Sequence, residues 1–176
     1  KNKTIILFLL GSITIQLAWG LANSLTFLTQ TQFWGLSTLQ IQEFIKIYFL
    51  STIVSWFLVP KLVRTFEKRS ILLFSLTIIG IFQATPYVLY KIGLSPEFGS
   101  ITLVYFLSVF IFVTGTFSIM SLMTRESMVP DMIDQVQQVS NLRQDGTISS
   151  LTSFCAKCMT GLGQFFSMFV LWLISF

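Results

Sequence analysis

The chain has 176 residues, of which 53% are hydrophobic and only 10% charged, with 19 Phe and a mean hydropathy of +0.79. A soluble domain carries about 25% charged residues, so the composition points to an integral membrane protein. The absence of His excludes imidazole bases, His-containing metal sites and His-dependent catalytic triads. The net charge of +4 sits in short clusters between apolar runs, without the basic aromatic face that binds nucleic acid. No enzyme, metal site or resident cofactor is expected.

Five apolar segments follow in chain order, each near or above the ~20 residues that cross a membrane as a helix. They are residues 4–28, 39–59, 70–90, 99–122 and 146–176. The first follows Lys1 and Lys3 but is too long for a signal-peptide core of ~7 to 15 residues. The breaks differ in chemistry: Gln30-Thr31-Gln32 is polar and uncharged, Lys61 to Arg69 is basic, Ser95-Pro96-Glu97 is a turn, and Thr124 to Asp145 is a long polar stretch. The expected fold is all-α, a polytopic transmembrane helix bundle with no soluble domain. Lys1 at one end and Phe176 inside an apolar run at the other read as the edges of a longer protein.

Orientation follows from the basic residues, which favour the cytoplasmic side. Lys1, Lys3, Lys61, Arg64, Lys68, Arg69, Arg125 and Arg143 share one side if the chain zigzags, against Lys91 on the other. The N-terminus is therefore expected in the cytoplasm, and the plasma (inner) membrane is the expected location. Gly11, Gly20, Gly80, Gly115, Gly161 and Gly163 fall inside the spans, where small residues let helices approach. Pro86 is expected to kink the third span.

Lys157 carries the most information. It lies eleven residues after Gly146, roughly mid-membrane at ~1.5 Å per residue, where a charge requires a watery cavity or a carboxylate partner. Ser149, Ser150, Thr152 and Ser153 precede it as a polar stripe, lining a cavity or bonding back to their own helix. Cys155 and Cys158 flank it and read as small buried side chains. In the first span Gln16, Trp19, Asn23 and Thr26 recur at helical spacing, a face suited to a hydroxyl-rich solute or to interhelical hydrogen bonds. Arg125, Glu126, Asp131, Asp134, Arg143 and Asp145 concentrate charge of both signs, as a gate or a solvated loop. Glu43 and Lys46 are spaced to pair locally.

The string Met128-Val129-Pro130-Asp131-Met132-Ile133-Asp134, then Arg143-Gln144-Asp145-Gly146, then Ser149, Ser150, Phe154 and Lys157 resembles the glycoside-pentoside-hexuronide cation symporters, the melibiose-permease-like branch of the major facilitator superfamily. The resemblance implies helices seven to eleven of twelve, an incomplete C-terminal six-helix half. It also implies that Lys157, Thr152 and Ser153 lie near the sugar and cation sites, and that Arg69, Asp131, Asp134, Arg143 and Asp145 form a cytoplasmic gating network. Pro130, Asp145 and Leu122 depart from the pattern, where Ala, Glu and Trp are usual; the last leaves the substrate open.

The expected function is secondary active symport of a small polar solute, a sugar or glycoside, driven by Na+ or H+ through alternating access. Substrate or cation contacts are expected from Lys157, Thr152, Ser153, Gln16, Trp19 and Asn23. The expected partners are the solute, the lipid bilayer and an N-terminal half of the same transporter that holds the main cation site. The alternatives are a lipid or amino-acid-like solute or an uncoupled carrier on the same fold, a membrane enzyme using Cys155 or Ser153 with Lys157, and a structural subunit.

Overall fold

The computed structural model describes residues 2–140 and 145–173. Long apolar runs in a medium without water must satisfy their backbone internally, and helices do so within each segment. The described residues form α1 (Asn2–Leu28), which continues into one wider π turn at Thr29–Phe33, then α2 (Thr38–Thr65), α3 (Lys68–Lys91), α4 (Ile101–Ser140) and α5 (Asp145–Leu173). Four of them are long and apolar enough to cross a membrane: α2, α3, α4 over Ile101–Asp134 and α5 over Ser149–Leu173. The fifth, α1, has 27 residues.

Two of the expected breaks shrink. The basic stretch Lys61 to Arg69 is helical except at Phe66 and Glu67, and the polar stretch after Thr124 continues α4 to Ser140. Hydropathy marks where the membrane core ends, whereas helix formation needs only compatible backbone preferences, and the Glu, Met and Gln of this segment supply them. Pro60, Pro86 and Pro130 all lie inside continuous helices. At the start of α2, Ser37 and Gln40 form a reciprocal capping box, satisfying backbone donors that the first turn leaves unpaired.

The chain divides into two compact units, residues 34–128 and residues 1–33 with 129–176. In the unit of residues 34–128, Ser51 Oγ lies 2.9 Å from the Ile47 carbonyl oxygen and 3.1 Å from that of Phe112. One turn on, Ser55 Oγ lies 2.8 Å from both the Ser51 and Thr116 carbonyl oxygens. The paired positions rise together, so α2 and α4 run parallel, their backbones tied by buried hydroxyls. The Phe74–Phe117 and Phe82–Phe110 ring contacts run in opposite order, so α3 is antiparallel to α4. Trp34, Leu36, Phe44, Leu103, Val104 and Leu107 form one apolar cluster, and Val59, Ile71 and Met120 a second. Near the first, Trp34 packs on Tyr87, Tyr90 and Phe98, and the Gly99 amide donates to the Trp34 carbonyl.

The other unit is built on α1 against α5. A Cβ at Gly20 would run into the Thr160 carbonyl, and one at Gly163 into the Leu17 carbonyl. The backbones therefore touch along a seam where only glycine fits, as small-residue membrane interfaces allow. Ser24 and Ser167 share a hydrogen bond further along it. These pairings also rise together, so α1 and α5 are parallel. Gly115 serves similarly in the first unit, where a Cβ would stand 3.0 Å from Ser51 Oγ, closer than ordinary van der Waals contact. Of the six span glycines, Gly20, Gly115 and Gly163 lie against a neighbour, whereas at Gly11, Gly80 and Gly161 a Cβ would meet open space.

Candidate functional site

The seam between α1 and α5 fixes which side chains share a side of this helix pair. Its contacts match Gly20 with Thr160 and Gly163, and Ser24 with Ser167, which puts Lys157 level with Gln16. At ~100° per residue, Lys157 lies about a quarter turn from the seam in one sense and Gln16 and Asn23 a similar angle in the other. Because the helices are parallel, those opposite senses point to the same side of the pair. Ser153 falls on this side too, one turn before Lys157, and Gly161 one turn after it. Trp19 points away from the seam, and Thr152 lies on the other flank.

The stripe Ser153, Lys157 and Gly161 is exposed, and the open space at Gly161 leaves room beside the ammonium. Among the described residues no carboxylate pairs with Lys157. The charge stands twelve residues inside the start of α5 and sixteen before its end at Leu173, more than ~15 Å of helix from either. Snorkelling to an interface would have to bridge the eight residues from Ser149, where the span begins, or ~12 Å of helix. Gln16 is half-buried and Asn23 exposed, so neutral amides and a cation face the same space.

Other candidates separate from this group. The Thr152 hydroxyl donates to the Ser149 carbonyl at 3.0 Å, and the Thr26 hydroxyl to the Ala22 carbonyl at 2.6 Å; both bond back to their own helix. Trp19 is half-buried. Cys155 and Cys158 are free thiols, both half-buried.

The expected gating charges are distributed over both units. Asp131 and Asp134 are exposed on α4 in the unit with α1 and α5, whereas Arg69 is exposed at the start of α3 in the other. Asp145 opens α5, and Arg143 lies outside the described residues. Glu43 and Lys46 pair as expected, Nζ to Oε1 at 2.7 Å.

Two contacts were not anticipated. Arg125 is 8% exposed yet bonds the exposed carboxylate of Glu126 at 2.8 Å, and Lys68 Nζ donates to the Ser127 carbonyl at 2.9 Å. A lysine reaching a main-chain carbonyl leaves no residue-type signal of that contact in the sequence. The adjacency of Arg125 and Glu126 was visible, but not which of the two is buried.

A family model described as MFS/sugar transport protein matches residues 1–176, the whole chain. Comparison with curated proteins and with solved structures gave no match.

Proposed function

The chain belongs to the MFS/sugar transport protein family, and we propose that this integral membrane transporter moves a sugar or glycoside together with Na+ or H+. In this reading it works with an N-terminal half of the same transporter and alternates access about a midplane site. The observation that carries the proposal is Lys157: a cation far from either end of an apolar helix, on the same side of the α1–α5 pair as Gln16 and Asn23. Amides can exchange hydrogen bonds with solute hydroxyls. The ammonium can donate to the solute and respond electrostatically when a cation arrives or leaves.

The basic residues support a cytoplasmic N-terminus in the plasma membrane, and Arg69, Asp131, Asp134, Arg143 and Asp145 are proposed as the charges that close the cytoplasmic side. A second reading, a solute with an apolar portion, is favoured by Phe154, which is 66% exposed one turn from Lys157.

The test uses unenergised cells expressing the chain with its proposed N-terminal half, with pH and Na+ electrodes recording as sugars, amino acids and lysolipids are added. Sugar-evoked external alkalinisation or Na+ loss, abolished in Lys157→Ala while membrane insertion is retained, is the expected result. Full cation-driven accumulation by Lys157→Ala sinks the role of Lys157. A response only to amino acids or lysolipids overturns the sugar.

A further inference from the structure

We propose that the turn between α2 and α3 binds the phosphate of an anionic phospholipid headgroup. Lys61, Arg64, Lys68 and Arg69 fall within nine residues, against Glu67 alone. Lys61, Arg64 and Arg69 are exposed, and among the described residues no carboxylate pairs with them. Lys68 is half-buried and turned inward, its Nζ donating to the Ser127 carbonyl at 2.9 Å. It anchors the turn against α4 and leaves the other three cations facing out.

Helix electrostatics sharpen the cluster. Arg64 ends α2, where a cation complements the carbonyl pole, but Lys68 and Arg69 open α3, where the amide pole is already positive. Glu67 occupies the cap position of α3 and makes no side-chain capping bond. Positive potential therefore gathers at the end of two membrane-spanning helices, the height at which lipid phosphates lie. Phe66, between the basic pairs, is 57% exposed with extended backbone, a ring placed to enter the acyl boundary beneath a headgroup. A phosphodiester offers oxygens that guanidinium groups can take two at a time. The proposal requires membrane insertion but not the transport reading above.

Its test is native mass spectrometry of the protein released from vesicles of equimolar phosphatidylglycerol and phosphatidylcholine. Bound phosphatidylglycerol should exceed phosphatidylcholine by about three- to tenfold, given the attraction of juxtamembrane cations for anionic headgroups. The ratio should fall toward one as ammonium acetate rises from about 50 to about 500 mM, since exposed charges are screened. Lys61→Gln/Arg64→Gln/Arg69→Gln should bring the ratio to one, and Lys46→Gln/Lys91→Gln should leave it unchanged. Equal loss in both variants, or a wild-type ratio of one at low salt, overturns the proposal. So does displacement of the lipid by inorganic phosphate at constant ionic strength, which would assign the turn to a soluble anion.

Discussion

The two units use their polar residues in different ways. In residues 34–128, Ser51 and Ser55 are fully buried and reach carbonyls on the neighbouring helix, so polarity is consumed in holding α2 to α4. In the other unit the α1–α5 seam is carried by two glycines and the Ser24–Ser167 pair, while Lys157, Ser153 and Asn23 remain exposed. A third of the span window in α4 is buried, against 11% in α5, so α5 has more surface left for a cavity or further helices. Hydroxyls such as Ser51 and Ser55 bond neighbouring backbone, whereas Lys157, Ser153 and Asn23 stay on the surface of their helix pair, even though both groups read as polar in a hydropathy profile.

The comparison breaks most readily at the seam. Gly163→Val places side-chain atoms where the Leu17 carbonyl lies, and a cost of about 3 kcal/mol or more is expected from backbone overpacking. Unfolding in mixed detergent should reveal it, whereas Gly80→Val, placed in open space, should change stability by no more than about 1 kcal/mol. Equal effects would mean that the seam is not the close contact described.

A smaller effect tests the other unit. Ser55→Ala removes the hydroxyl shared by the Ser51 and Thr116 carbonyls, and a loss of about 0.6–1.7 kcal/mol is expected in the same unfolding assay. The smallest effect is expected at the Glu43–Lys46 pair, which is exposed. Lys46→Gln should cost at most about 0.5 kcal/mol, and raised salt should erase the difference.

Legibility varied with the range of the interaction. The helical elements could be read because each depends on a contiguous run of side chains, and Lys157 stood out because its neighbours along the chain are apolar. Gln16, Trp19 and Asn23 shared a helical face in the sequence, yet the register of α1 on α5 places Gln16 and Asn23 on the Lys157 side and turns Trp19 away. Thr152 and Ser153 are adjacent in the chain, and the same register separates them. That register depends on which glycines meet a carbonyl, which no local pattern encodes: Gly20 and Gly163 do, while Gly11, Gly80 and Gly161 do not.

The sequence by itself determined a helical membrane protein, its apolar segments and the depth of Lys157 along α5, because backbone satisfaction in lipid and a fixed rise per residue leave few alternatives. Only the tertiary structure decided that α4 runs on to Ser140, that Ser51 and Ser55 tie helices together, that Lys68 turns inward to a carbonyl, and which polar residues share a side with Lys157. Each of those outcomes depends on the rotation and axial register of one helix against another, and those are set by side-chain volume at a few contacts distant in the chain.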